Sequence, residues 1–175
     1  MVLFVSYSGA LGGAERLLVE YASTLKGRRA LACPEGALAS AARAAGLRVL
    51  ALPQRSLALR GKPVAATMRL AAHARELRRL QRDLGAELVV AWGMRSAIAA
   101  AAAGSRFVFA HNDLVPGPVV GGAVRAAARR ARAVVVLSHA IAADLGAGAI
   151  TVIHPGVDVD SFDGAARDPA LAPEV

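Results

Sequence analysis

Gly12 and Gly13 stand where an apolar run, Val2 to Ser6, gives way through Tyr7-Ser8-Gly9-Ala10-Leu11 to a segment with helical spacing. A helix opened by glycines turns its first N–H groups, which have no partner inside the helix, and the positive end of its dipole toward the space beyond the strand. A phosphate group fits such a place. The same glycines serve equally as a tight strand-to-helix turn that binds nothing, and their spacing is neither G-x-G-x-x-G nor the P-loop pattern, which requires Gly-Lys-Ser/Thr. His111 ends another apolar run and is followed by Asn112 and Asp113. An imidazole there can exchange a proton or a hydrogen bond near neutral pH, the competing account being a buried structural histidine. Arg95, just after a further apolar run, can hold an anionic group or serve as an ordinary surface arginine.

Other chemistries find less support. Asp158-Val159-Asp160 has the Asp-x-Asp form of a metal-binding pair, but two acids two residues apart are frequent in turns, and no metal or other cofactor is expected. No Ser, His and Asp combine with a nucleophile-elbow sequence. Cys33 is the single cysteine, which excludes an intrachain disulfide and a cysteine zinc cage. Glu35, about 20 residues past the glycines, is the kind of acid that grips a ribose, and it keeps open a stand-alone nucleotide- or phosphate-binding module without catalysis. His73 is expected at the boundary of a long helix.

Composition narrows the classes further. The 175 residues suit one domain, and 55% hydrophobic against 19% charged residues excludes a wholly disordered chain. The most apolar stretch, Trp92 to Ala110, is broken by Arg95, Gly104, Ser105 and Arg106, so no spanning helix is predicted. Met1 to Val5 carry no basic leader, and the expected location is cytoplasmic. The net charge of +8 favours anionic partners, without choosing among phosphates, nucleic acid and acidic lipid. Aromatic residues are only 4%, too few for the stacking platforms of a single-strand binder, so no nucleic-acid partner is expected. Apart from Lys26 and Lys62 every basic residue is Arg, which a GC-rich coding sequence explains as well as function does.

The residues of interest need elements to position them. Short apolar runs at Val2–Ser6, Arg29–Cys33, Leu47–Leu52, Glu87–Trp92, Arg106–Ala110, Ala133–Leu137 and Ile150–Ile153 predict seven strands. Between them, helical spacing is read after Gly13 with Leu17, Leu18, Tyr21, Ala22 and Leu25, and Gly27 is expected to end that helix. Further helices are read at Leu38–Ala45, about 64–84, Ser96–Ala103, Ala123–Arg132 and Ala140–Leu145, the last capped by Ser138. Residues 54–62 and Gly117–Gly122 read as loops. Along 64–84, Leu70, Ala74, Leu77, Leu80 and Leu84 form one stripe among arginines, and that basic surface suits either solvent or an anionic membrane. Strands apolar on both faces with intervening helices predict a doubly wound, mostly parallel α/β sheet, Rossmann-like, whose ligands lie beyond the strands' carboxyl ends.

Ser8 to Arg16, with Gly12-Gly13-Ala14-Glu15, resembles the Gly-Gly-x-Glu opening of family 4 glycosyltransferases. Val152-Ile153-His154-Pro155-Gly156-Val157-Asp158 followed by Phe162 is similar to the segment that ends their amino-terminal domain. His111-Asn112-Asp113 falls where the family places a histidine. The resemblance implies one half of a GT-B architecture: residues 1–162 as the Rossmann-like acceptor-side domain, and 163–175 as a polar tail or the start of an interdomain linker. It implies retaining, metal-independent transfer of a hexose from a nucleotide sugar, with Gly12 and Gly13 at the donor phosphates and His111 as the catalytic contact to the sugar. Arg95, Asn112 and Asp113 become acceptor contacts by position. The implied partners are the nucleotide sugar, an anionic or lipid-linked acceptor, a carboxy-terminal donor domain outside this sequence, and the inner membrane face as a peripheral contact. The fragment alone is expected to be inactive.

Overall fold

The computed structural model describes residues 1–53, 63–146 and 148–156, the side chains of 63–67 excepted. The loop 54–62, the Asp158 and Asp160 pair, Phe162 and the tail 163–175 lie outside the described residues. The chain alternates strand and helix throughout: β1 (Val2–Val5), α1 (Gly13–Thr24), β2 (Arg29–Pro34), α2 (Ala37–Ala44), β3 (Arg48–Leu52), α3 (Pro63–Leu84), β4 (Leu88–Trp92), α4 (Met94–Ala103), β5 (Phe107–His111), α5 (Pro118–Arg130), β6 (Ala133–Val136), α6 (His139–Leu145) and β7 (Ile150–Val152). The strands form one sheet in the order β3-β2-β1-β4-β5-β6-β7, with every neighbouring pair parallel. This is the predicted α/β, Rossmann-like architecture.

Right-handed crossovers explain the layering. The chain winds outward from β1 to β3, returns to β1's other side at β4, and winds outward again. One face of the sheet therefore packs Leu18 and Ala22 of α1 and Leu38, Ala39 and Ala42 of α2 against Phe4, Leu31 and Cys33. The other packs Leu77 of α3, Ala97, Ala99, Ala100 and Ala103 of α4, and Val124 and Ala127 of α5 against Leu3, Val5, Val89, Phe107 and Phe109. On the α1 side, beyond Tyr21 and Trp92, the strands β4 to β7 line an apolar groove of about 290 Å³ with Val90, Val108, Val135 and Ile153.

Three expectations are corrected. Gly117–Gly122 is not a loop: α5 begins at Pro118, where a missing N–H breaks no bond, and the ladder starts with Gly121 N–H donating to the Gly117 carbonyl at 2.9 Å. Gly121 is buried, and a Cβ there would meet Val115 Cγ1 at 2.9 Å, so close packing explains this helical glycine. His73 is fully buried rather than at a boundary, because the flank of α3 beside Leu70 and Leu77 turns inward over Tyr7, ring to ring at 4.4 Å. The first helix ends at Thr24, before Gly27, as Leu25 turns extended. Ser138 does cap α6, accepting from Ile141 N–H at 3.3 Å.

The loop after β1 is locked to the turn after β2. Leu38 N–H donates to the Gly9 carbonyl at 3.2 Å, and Gly36 sits at φ +153, where a Cβ would approach that carbonyl oxygen to 2.5 Å. Gly36→Ala is therefore expected to destabilise the chain by about 1–3 kcal/mol, read as a lower urea midpoint. Gly122→Ala, exposed in α5 with nothing within 4 Å of its Cβ, is expected to gain up to about 1 kcal/mol from helix propensity. Equal midpoints for the two variants would remove the interlock.

Candidate functional site

A cleft of about 300 Å³ opens at the carboxyl edge of the sheet, between the ends of β1 and β4. This is the point where the strand order reverses, so the chain leaves the two strands toward opposite faces and the space between them stays open. The loop after β1 contributes Ser6, Tyr7 and Ser8, and α1 contributes Ala14 and Glu15. Trp92, Gly93, Met94, Arg95 and Ser96 come from the end of β4 and the first turn of α4, and Asn112 and Asp113 from beyond β5.

Two helices of opposite layers present their N-termini here. Gly12 caps α1 without a side-chain bond, and the Glu15 carboxylate accepts Gly12 N–H at 3.1 Å, which brings a negative charge to the positive end of the dipole. Gly13 has open space where a Cβ would stand. Gly93 caps α4 at φ +80, again without a side-chain bond, and no acid stands in the first turn of α4. The N-terminal amide of the turn is already used, since Gly93 N–H donates to the Ala110 carbonyl at 2.8 Å, which ties α4 to β5.

Of the residues singled out in the sequence, Arg95, Asn112 and Asp113 line the cleft, and Gly12 and Gly13 border it through Ala14 and Glu15. His111 lies at the same edge, two strands and so about 10 Å from β1. Its ring does not line the cleft. As the last residue of β5 it shares the side of Phe107 and Phe109, with the Phe109 ring 5.1 Å away, while Asn112 turns to the opposite side. Neither ring nitrogen has a hydrogen-bond partner among the described residues. Burial pushes its pKa below the ordinary value, against the pull of Asp113 and then Asp144, so the imidazole is neutral at pH 7. Glu35 is outside the cleft lining. Its carboxylate is forked by the Arg43 guanidinium, one bond at 2.9 Å, which holds it below the usual carboxylate range. A grip on ribose would have to break that pair.

Sequence reading missed Trp92 and Ser96. Both are buried, and the indole Nε1 and the Ser96 hydroxyl have no partner among the described residues, as is true of Asn112 Oδ1. All three belong to residues of the cleft wall. The available signal was positional: Ser96 is in the first turn of a helix that begins one residue after a strand's end. Among the described residues no group of three or more His, Cys, Asp or Glu is placed to hold a metal ion, and no helix is long and apolar enough to cross a membrane.

The arrangement resembles known proteins in fold. Anabaena HepE, solved with UDP and with UDP-glucose, superposes with a TM-score of 0.74 at 21% identity, covering 92% of this chain and 45% of HepE. A glycosyltransferase of Rickettsia africae gives 0.64 at 18% identity, covering 97% of this chain and 46% of its own. MurG of Acinetobacter baumannii gives 0.61 at 14%, covering 95% and 49%. The chain thus spans about half the length of these structures, and the likeness is to the Rossmann-like fold of GT-B glycosyltransferases. No curated protein matches the sequence. The family model of Glycosyltransferase Family 4 matches residues 11–161, from the Gly-Gly turn to beyond the last strand, and the chain belongs to that family.

Proposed function

We propose that this chain is the acceptor-side domain of a retaining, metal-independent glycosyltransferase that moves a hexose from a nucleotide sugar to an acceptor. The observation that carries the reading is the cleft at the strand-order reversal, flanked by two helix N-termini and walled by residues whose buried polar atoms Ser96 Oγ, Trp92 Nε1 and Asn112 Oδ1 have no partner among the described residues. HepE, of similar fold, has been solved with UDP-glucose, and a nucleotide sugar is the donor we assign. As its glycosidic bond breaks, negative charge builds on the departing diphosphate, and preorganised N–H groups answer that charge without a metal. Gly13, open on its Cβ side, lets the diphosphate approach the α1 backbone.

Arg95, Asn112 and Asp113 face the acceptor in this reading. His111 is the contact to the transferred sugar in this reading: it is fully buried behind the cleft, a neutral imidazole has one N–H to donate and one nitrogen to accept, and neither has a partner among the described residues. The donor half is a second domain, in keeping with the share of HepE that this chain spans. The 175 residues alone are expected to turn over no UDP-glucose, and robust transfer by them would overturn the two-domain reading.

In a polypeptide with both halves, His111→Asn is expected to lower kcat about 10²-fold or more with a small change in the urea midpoint. Unchanged turnover removes the catalytic role. The same variant tests the buried state. The unfolded histidine takes its proton near pH 6.5, while the folded one stays neutral further down. As pH falls below about 6.5 the unfolded chain therefore binds the proton first, and stability is lost until the folded pKa is passed. The urea midpoint of wild type should therefore fall relative to that of His111→Asn from about pH 7.5 to about pH 5. A constant gap means a solvated His111.

A lipid-linked acceptor and a peripheral contact with the inner, anionic membrane face belong to the same proposal. Leu114 is 62% exposed on the loop that leaves the cleft after Asp113 and Val119 is 85% exposed in the first turn of α5, while the Val115 amide between them is anchored to Asp144 Oδ2 at 2.6 Å. An apolar apex on a chain of net charge +8 suits a surface of acidic lipid. Vesicles containing phosphatidylglycerol are expected to sediment the chain at low salt and lose it at high salt. Leu114→Asp with Val119→Asp should abolish sedimentation. Retention by the double variant would leave a charge effect with no role for the apex.

A further inference from the structure

The two helix N-termini in the cleft are not equivalent. At α1 the Glu15 carboxylate already occupies the cap, on Gly12 N–H. At α4, a helix of ten residues, the amides of Met94, Arg95 and Ser96 precede the first intrahelical bond, from Ala97 N–H to the Gly93 carbonyl, and nothing among the described residues accepts from them. Ser96 is 1% exposed, lines the cleft, and its hydroxyl has no partner among the described residues. A hydroxyl buried without a partner costs about 1–3 kcal/mol, so a ligand that bonds it recovers that cost. Trp92, another residue of the cleft lining, has its side chain on the α1 side of the sheet, and its buried indole N–H, without a partner among the described residues, can only donate. Arg95 is exposed on the cleft and forms none of the salt bridges among the described residues.

Every one of these groups donates. Their opposite wall accepts: Asn112 Oδ1 is unpartnered and Asp113 carries a carboxylate. Among the described residues the charged groups that face the cleft are Glu15, Arg95 and Asp113. The described cation therefore stands beside the uncapped helix and the carboxylates stand away from it, on α1 and beyond β5. A ligand complementary to both walls has an oxyanion at one end and hydroxyl donors at the other.

We propose that the N-terminus of α4 is a phosphate site, in which the acceptor's phosphate group seats on the Met94, Arg95 and Ser96 amides, accepts from the Ser96 hydroxyl and pairs with the Arg95 guanidinium, so that the acceptor is a phosphorylated polyol or sugar. This rests on the acceptor-side reading of the cleft. It separates the acceptor phosphate, at α4, from the donor diphosphate, at α1.

The test uses the 175-residue chain, labelled with ¹⁵N, and follows backbone amide shifts during titration with inorganic phosphate, glycerol 3-phosphate and glycerol. Shifts are expected to centre on Met94 to Ser96 with both phosphates and to be absent with glycerol. Ser96→Ala and Arg95→Gln should each weaken glycerol 3-phosphate about tenfold, the usual worth of a hydrogen bond to a charged group. Ser96→Ala only deletes an unbonded hydroxyl and Arg95 is exposed, so both variants keep the fold. Shifts centred on Gly12 to Glu15, shifts spread over surface arginines, or variants that bind as wild type does would each overturn the site. Dihexanoyl phosphatidic acid below its micelle concentration separates the sources: binding well above that of glycerol 3-phosphate marks a lipid headgroup, and equal binding marks a soluble phosphate. The transferase reading fails separately, when a two-domain polypeptide transfers no sugar although the α4 amides still bind phosphate.

Discussion

The return of the chain from β3 to the far side of β1 is the constraint on which the rest of the structure depends. Parallel strands joined by right-handed crossovers must send helices to one face while winding one way and to the other face while winding back. At β1 and β4 those two directions meet, and neither α1 nor α4 can close over the gap between them. The cleft is therefore a topological product before it is a chemical one. Its contents follow from direction as well: in a parallel sheet every strand ends, and every following helix begins, at the same edge. Backbone N–H groups without intrahelical partners collect there, and the chain needs few charged side chains to make the place attractive to anions.

Packing decides how close those N-termini come. Six of the ten residues of the helix that follows β4 are alanine, and Ala97, Ala99, Ala100 and Ala103 are buried. Small side chains let α4 settle between α3 and α5 directly on β4 and β5, where Phe107 and Phe109 supply the bulk from the strand side. One residue, Gly93, then suffices to turn the chain from strand to helix, at a positive φ that a side chain would resist. A longer connection would carry the first turn away from Trp92 and Asn112. The alanines of α4 thus have a mechanical consequence at the cleft.

Much of this was legible in the sequence. Seven strands, their order of appearance, the two glycines and the edge on which ligands gather all follow from short apolar runs and their punctuation. What escaped has physical reasons. Strands buried on both faces carry no period of two, so nothing in Arg106 to His111 told which way the histidine points; only the extension of β5 to His111 aligns it with Phe109, away from Asn112. His73 was misplaced because one apolar stripe was taken as the whole contact of α3, although the long helix buries a wider face. Gly121 was read as loop because a glycine's reason for being in a helix, here the Val115 side chain against it, lies in tertiary packing. Ser96 was passed over because a lone serine in a run of alanines has no signal until a helix start puts it on a wall.

The charge of the chain shows most plainly why composition and site must be separated. A surplus of +8 invites the inference that the functional surface is basic. Three of the described arginines instead serve helix C-termini, where carbonyls are left without partners. Arg29 donates to the Ser23 carbonyl at the end of α1, Arg78 to the Ala102 and Ala103 carbonyls of α4, and Arg125 to the Asp144 and Leu145 carbonyls of α6. Arg82, Arg129 and Arg130 stand in the last turns of α3 and α5, where the dipole favours a cation. In a parallel α/β fold those helix ends lie at the amino edge of the sheet, opposite the cleft. Among the described residues the cleft itself holds one guanidinium and two carboxylates. Its attraction for a phosphate arises from oriented amides and hydroxyls rather than from net charge, and such groups act at contact distance, where salt screens them least.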